Sequence, residues 1–472
     1  KDGKETDLDL GHYERFLSIQ TTKTNNTTTG KIYQTVINRE RKGDFLGKTV
    51  QVIPHITNEI KRRIQLISSE DTYDIIITEL GGTVGDIESY PFIEAVRQFR
   101  WDVGEKNSLV IHLTLLPFLS AAGELKTKPT QHSVKKLMES GVNADIIVCR
   151  TEKSISKDLR SKIALFCNVE INSVIESIDA KTIYEVPLLM QDEKLDEVVL
   201  KKLNIPNSKS DLVDWKEFVS KLKNPKQNIK IGLIGKYVEL QDSYKSILES
   251  FVHAGAINET KIDVVPLHSE NINIQTVENE LSPLDGILVA PGFGERGVDG
   301  KILSIKYARE NNLPFLGICL GMQMAVIEFA RNILNLKNAN STEMDSLTEH
   351  PVINLMDDQV EIENKGGTMR LGSWDCKIYE NTLAHEIYKK DIISERHRHR
   401  YELNFDYMNK LSEKGMVFSG SNPKTGLVEI IEIPNHDWFV GVQFHPEYQS
   451  TVENPHPIFV SFVKACINKN RK

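Results

Sequence analysis

The chain has 472 residues, enough for two to four domains at about 150 residues each. Its 58 Lys and Arg against 66 Asp and Glu give a net charge of −8, which argues against a protein that wraps nucleic acid. With 40% apolar and 26% charged residues it can build an ordinary core, yet no run of about eighteen apolar residues marks a membrane span. The five cysteines (Cys149, Cys167, Cys319, Cys376, Cys466) form no CxxC pair, which points to a reducing, cytoplasmic setting. The chain opens on Lys-Asp-Gly, without Met or a secretory signal, and reads as starting inside a longer protein.

In chain order, Asp74–Leu80 (DIIITEL) reads as a buried strand from its β-branched run, closed by Gly81-Gly82. Glu88–Arg100 has helical spacing, and Leu109–Leu116 is a second strand. Thr130–Glu139 follows as a helix with Thr130 as candidate cap, then Asp145–Cys149 as a strand, Lys157–Phe166 as a helix and Ser173–Ile178 as a strand. Gln191–Lys230 turns polar and lysine-rich and reads as a connector that contains helix. A second series places strands at Lys230–Tyr237, Lys261–Pro266, Leu284–Ala290, Pro314–Ile318 and Phe439–Phe444, with helices at Ser243–Ala256, Gly300–Arg309 and Gly321–Ala330. The expectation is an α/β protein of two domains, each a mainly parallel sheet flanked by helices: residues 1–190, a linker at 191–228, and 229–472.

The strongest local signal is Gly317-Ile-Cys-Leu-Gly-Met-Gln323. A buried strand runs into Cys319, glycines flank it, and a helix starts at once, the pattern of a nucleophile elbow with sulfur in place of a hydroxyl. A helix N-terminus favours thiolate over thiol, and the Leu320 N–H points where an oxyanion would form. The base and its orienter come from His445-Pro446-Glu447, where Pro446 holds an imidazole and a carboxylate extended on one side. Taken singly, these motifs also read as a core cysteine and an incidental surface histidine.

Together, the elbow, the glycine loop upstream and the terminal HPE resemble class I glutamine amidotransferase domains. The resemblance implies that Cys319 attacks the glutamine amide, His445 moves the proton, Glu447 orients His445, and Gly292 and Leu320 supply oxyanion N–H groups, with Gln323 beside the glutamine site. The family usually carries two glycines before the Phe. Here the pair is Pro291-Gly292, and Pro291 has no N–H, so the oxyanion role rests on Gly292.

Further motifs lie in both halves. Glu79-Leu-Gly-Gly-Thr-Val-Gly-Asp-Ile-Glu-Ser89 follows a predicted strand, where open α/β sheets bind ligands, and its carboxylates suit a metal, a ribose or a base edge. It does not match the P-loop pattern. Lys126-Thr-Lys-Pro-Thr-Gln131, two lysines before a helix, suits a triphosphate; alone it is equally an exposed basic loop. Zinc at His397 and His399 is disfavoured, because no cysteine or carboxylate lies at ligand spacing.

These segments, with Thr6–Phe16 (TDLDLGHYERF), Lys31–Pro54, Asn340–Glu343, Gly366–Gly372 and Glu395–Tyr401 (ERHRHRY), resemble the CTP synthase family along nearly the whole chain. The resemblance implies an ATP-dependent ligase that aminates UTP to CTP with ammonia from glutamine. Glu343 and Arg400 would hold the ends of glutamine. Asp86, Ile87, Glu88, Lys126, Lys128, Gln131 and Lys162 would bind the pyrimidine nucleotide. Asp9 and Arg150 would contact ATP, and Asp9 and Glu79 would bind Mg2+. Phe293–Gly300 would be a lid at which GTP acts as effector through Arg296, and CTP would inhibit. A P-loop-NTPase-like synthase domain, a homotetramer and stacking into filaments are further implications. Family members begin with a strand and a lysine-bearing phosphate loop well upstream of TDLDLG; none precedes it here, so the synthase domain is expected to be N-terminally incomplete. Two other readings stay open: the same glutaminase on a cobyrinate-type amide synthase, and a non-catalytic nucleotide-binding filament subunit.

Overall fold

The computed structural model describes residues 9–68, 73–207, 210–239, 241–355 and 369–471. Thr6, Asp7 and Leu8 of the first motif, Ser208 of the connector and Gly366–Thr368 lie outside them. The chain divides into two compact units, residues 24–216, and residues 1–23 with 217–472.

In the 24–216 unit, helices α2 (Thr29–Arg41), α3 (Thr57–Ser68) and α4 (Tyr90–Val103) surround a small core of Ile32, Val36, Ile56, Ile60 and Ala95. A parallel three-stranded sheet follows, with β1 (Ile111–Leu116), β2 (Ile146–Thr151) and β3 (Val174–Ile178) in that order and α5 (Lys128–Glu139) and α6 (Lys157–Cys167) as crossovers. Strand β2 is central and apolar on both faces, as a strand covered on both sides must be. One face meets Val134, Leu137 and Ile163, and the other meets Ile175 and the helices Val186–Asp192 and Leu195–Lys202.

Two expectations need correction here. Asp74–Leu80 is not a strand: it pairs with none among the described residues, and Ile77 is 89% exposed. A β-branched run reports propensity, but burial needs a neighbour to bond with. Thr130 is not a helix cap. It lies inside α5, where its buried hydroxyl donates to the Leu115 carbonyl at 3.1 Å, while Thr127 precedes the helix.

The other unit is built on a nine-stranded sheet. Its strands are β4 (Gln227–Gly235), β5 (Thr260–His268), β6 (Gly286–Val289), β7 (Phe315–Ile318), β8 (Arg370–Ile378), β9 (Ile392–His399), β10 (Val417–Ser421), β11 (Val428–Glu432) and β12 (Phe439–Val442). The spatial order is β9-β8-β10-β11-β12-β7-β6-β4-β5. From β12 to β5 every pairing is parallel; from β9 to β12 every pairing is antiparallel. Helices α8 (Val298–Glu310) and α9 (Leu320–Asn332) cover one face, and α7 (Lys245–Ile257) and α10 (Pro457–Asn470) the other. The Phe315 and Phe439 rings, paired across β7 and β12, stack at 4.3 Å. Helix α1 (Asp9–Leu17) belongs to this unit.

Candidate functional site

The parallel ladder between β7 and β12 sets the site. It pairs Ile318 with Val442, so both strands deliver their next residues to the same carboxyl end. From β7 the chain enters Cys319 and then α9 without a loop. Cys319 has φ 53° and ψ −103°, a conformation that costs a residue with a Cβ on the order of 1–3 kcal/mol and is characteristic of active sites. Its N–H is fixed by the Val442 carbonyl at 2.7 Å. The flanking glycines follow from close approach: a Cβ on Gly321 would sit 2.3 Å from the Val289 carbonyl oxygen, and one on Gly317 would meet the Gly321 backbone at 2.8 Å. The elbow thus closes against β6 as well as β12.

From β12 the chain runs through Gln443 and Phe444 to His445. His445 Nδ1 lies 2.8 Å from Glu447 Oε1, with both side chains buried. Nδ1 faces the carboxylate, and Nε2 has no hydrogen-bond partner among the described residues. Burial opposes protonation of His445, but the Glu447 carboxylate and the Cys319 sulfur outweigh it and hold the imidazole pKa well above its ordinary value. The His445 ring also stacks on Tyr448 at 5.1 Å.

Gln323, buried in the first turn of α9, donates to the Tyr401 carbonyl at 2.9 Å and to Gln443 Oε1 at 3.2 Å. Gln443 in turn reaches Cys319 Sγ at 3.7 Å. Gly292 lies beside Leu320, since a Cβ on it would be 3.6 Å from the Leu320 side chain and 3.8 Å from Lys301 Nζ. Leu320 opens α9, so its N–H has no carbonyl one turn earlier to bond. Glu343 Oε1 accepts the Gly294 N–H at 2.7 Å and so touches the Phe293–Gly300 loop. Lys236 Nζ donates to the Phe293 and Gly294 carbonyls, both at 2.6 Å. Arg296, half-exposed, pairs with Glu270 at 3.1 Å and lies over the Tyr237 ring. Arg400 follows the end of β9, half-buried.

Three features escaped the sequence reading. Gln443 stands two residues before the HPE motif, at the end of the strand that delivers it. Lys301 is fully buried on α8, donates to the Ala290 carbonyl at 3.0 Å, and has its pKa pushed down to about 7 by burial. Its signal was the spacing of Val298, Lys301, Ile305 and Ala308, which puts it on the apolar stripe. The third is an ionic cluster under β9. Arg370 donates to Glu402 at 3.1 Å and to Glu429 at 2.7 Å, and His397 Nδ1 meets His399 Nε2 at 2.8 Å. Burial keeps both histidines well below their ordinary pKa, so one neutral ring donates to the other. Contrary to the expectation that no carboxylate lies near, Glu402, three residues past His399, and the distant Glu429 both meet these rings, and the Arg370 guanidinium comes with them.

Most of the predicted nucleotide residues lie in the 24–216 unit. Asp86, Ile87 and Glu88 form an exposed turn ahead of α4, with Glu79 on the irregular segment before it. Lys126 pairs with Glu124; Lys128 opens α5 and lies over the Phe166 ring. Gln131 is buried and bonded to Thr127 at 2.9 Å, and Lys162 is exposed on α6. Arg150, exposed on β2, sits 3.6 Å from Asp179. Asp9 opens α1 in the other unit. No three His, Cys, Asp or Glu side chains converge on a metal position among the described residues. No described helix is long and apolar enough to cross a membrane.

Comparison with known proteins divides the chain in two near the same linker. Residues 1–205 match the family model described as CTP synthase N-terminus, and residues 239–465 match glutamine amidotransferase class-I. CTP synthase of Flavobacterium johnsoniae is 65% identical over 472 residues, which is 100% of this chain and 88% of that one. CTP synthase of Christiangramia forsetii is 66% identical over 467 residues, 99% of this chain and 86% of its own. Among solved structures, the glutaminase domain of Trypanosoma brucei CTPS with bound acivicin is 38% identical with a TM-score of 0.48, covering 51% of this chain and 94% of that one.

Proposed function

The chain belongs to the CTP synthase family, glutamine-hydrolysing ligases, and from that premise we propose that Cys319, His445 and Glu447 free ammonia from glutamine and that the Thr24–Lys216 region spends it on UTP. The observation that carries the glutaminase half is the strained Cys319 elbow set against the His445–Glu447 pair at one strand end.

Cys319 Sγ attacks the amide carbon, and the carbonyl oxygen becomes an oxyanion beside the N–H groups of Gly292 and Leu320. Collapse of the adduct breaks the C–N bond, and the nitrogen leaves as ammonia with the proton from His445 Nε2. A thioester remains. Water, losing its proton to His445, attacks it and releases glutamate and the thiolate. Glu447 keeps the imidazole in one orientation through both proton transfers. Glu343 and Arg400 take the amino and carboxylate ends of glutamine, with Gln323 beside them.

In the synthase half, ATP phosphorylates O4 of UTP and ammonia displaces the phosphate, giving CTP, ADP and phosphate. Asp86, Ile87, Glu88, Lys126, Lys128, Gln131 and Lys162 are the proposed pyrimidine-nucleotide contacts, and Arg150 and Asp9 the ATP contacts. Asp9 and Glu79 would hold Mg2+, which when bound neutralises charge on the ATP phosphates. GTP stimulation through the Arg296 loop, inhibition by CTP and assembly as a homotetramer belong to the same reading.

The test compares wild type with Cys319→Ala in CTP formation from UTP and ATP, fed either glutamine or ammonia. The variant is expected to lose glutamine use by at least about a thousandfold and to keep ammonia use. Retained glutamine use would remove Cys319 as nucleophile; loss of both would overturn the division of labour.

A further inference from the structure

Helix α1 lies in the stretch that matches the synthase family model, yet it folds into the compact unit of residues 217–472. Its contact there is built around one buried carboxylate. Glu14 Oε2 and Oε1 accept from Arg396 Nη1 and Nη2 at 2.8 and 3.0 Å, a two-pronged ion pair with both side chains nearly closed to solvent. Thr21 turns back on the same carboxylate, with its N–H at 2.8 Å and its hydroxyl at 2.7 Å. Burial opposes the charge on Glu14, but Arg396 and Thr21 overcome it and hold the carboxyl below its ordinary pKa. Two flanking bonds seat the helix: the Val452 N–H donates to the Arg15 carbonyl at 3.1 Å, and Ser18 and Thr451 hydroxyls meet at 3.0 Å.

What Arg396 does with its backbone gives this contact a role. The Arg396 carbonyl accepts the His445 N–H at 2.8 Å, and the Arg398 carbonyl, one pleat along β9, faces Cys319 Sγ at 4.0 Å. A cavity of about 150 Å³ lies beside this contact and is lined by Glu14, Arg396, Glu447 and Tyr448. The stretch of β9 that holds the His445 backbone is thus tied to α1 through the Arg396 side chain.

We propose that Glu14 is a positioning residue for glutamine hydrolysis: through Arg396 it clamps β9 and so holds His445 in line with Cys319. The inference rests on the assignment of Cys319, His445 and Glu447 made above. It makes the ammonia-releasing site dependent on a helix that begins at Asp9, a proposed ATP and Mg2+ ligand. Docking of α1 and competence of the triad are then one equilibrium.

The experiment uses the full-length enzyme with Glu14→Ala, Arg396→Ala and the double variant, with Cys319→Ala as control. Glutamine hydrolysis and ammonia-dependent CTP formation are measured side by side. Each single variant is expected to lower the glutaminase kcat by about ten- to a hundredfold, as small misplacements of a catalytic group do, with KM for glutamine within about twofold. The double variant should be no worse than either single one, because both break the same clamp. Ammonia-dependent synthesis should stay near wild type. Unchanged kcat, additive losses, a change confined to KM, or a parallel loss of ammonia-dependent synthesis would each overturn the clamp. If Cys319→Ala itself hydrolyses glutamine normally, the triad assignment fails; if it is inactive while Glu14→Ala matches wild type, only the clamp fails.

Discussion

The two proposed sites solve opposite problems. Around Cys319 nearly every group is buried and already bonded: the elbow closes on two neighbouring strands, and His445, Glu447, Gln323 and Gln443 are all interior. The residues proposed for nucleotides are spread over exposed turns and helix starts; Ile87 is 86% exposed, and the Lys126 ammonium pairs with the exposed Glu124. Covalent chemistry on a small neutral amide needs reacting atoms fixed beforehand, because the substrate brings little binding energy of its own. Polyanionic nucleotides bring much more, so lysines that stay hydrated until a triphosphate arrives are adequate.

The sharpest way to break this contrast is at Gly321. Gly321→Ala puts a Cβ 2.3 Å from the Val289 carbonyl, and such overpacking costs about 1–3 kcal/mol in a close-packed interior. Glutamine hydrolysis should drop to background and the melting temperature should fall, as read by turnover and calorimetry. A rigid elbow is unnecessary if activity survives.

Glu447→Gln probes electrostatics at nearly constant shape. His445 is held protonated above its ordinary range partly by the Glu447 carboxylate. Without that charge less opposes burial, and the imidazolium loses its proton at lower pH. The glutaminase rate should fall by about a hundredfold or more, and the alkaline limb of its pH profile should move to lower pH. A limb that stays put would mean that His445 does not set it.

Lys126→Ala tests the exposed site and should have the smallest effect. Loss of one hydrated cation from a phosphate cluster should raise KM for UTP by about tenfold, the worth of one charge-assisted bond. Glutamine hydrolysis measured without nucleotides should not change. Equal UTP affinity in the variant would take Lys126 out of the phosphate site.

Legibility follows the same divide. The elbow could be read because its geometry is local: strand, glycine, cysteine, glycine and helix are contiguous, and the same steric demands that put Gly317 and Gly321 there shape the turn. The HPE motif was legible for the same reason. Lys301, Arg370 and Glu429 were not, because a charged side chain reads as surface until the fold encloses it and supplies partners such as the Ala290 carbonyl. The antiparallel half of the large sheet, β8 to β11, likewise shows no strong period in the sequence, its strands being short and separated by loops. Asp74–Leu80 failed in the other direction: its composition announced a strand that finds no partner among the described residues.

The pairing of Phe315 with Phe439 reaches beyond packing. Sulfur and imidazole belong to chain segments more than a hundred residues apart, and only the alignment of two neighbouring strands brings them face to face. Sliding one strand by a single residue would displace its end by about 3.3 Å and turn alternate side chains to the opposite face. Two stacked rings at the far end of that ladder therefore act as the index mark that brings Cys319 and His445, the proposed nucleophile and proton carrier, together each time the chain folds.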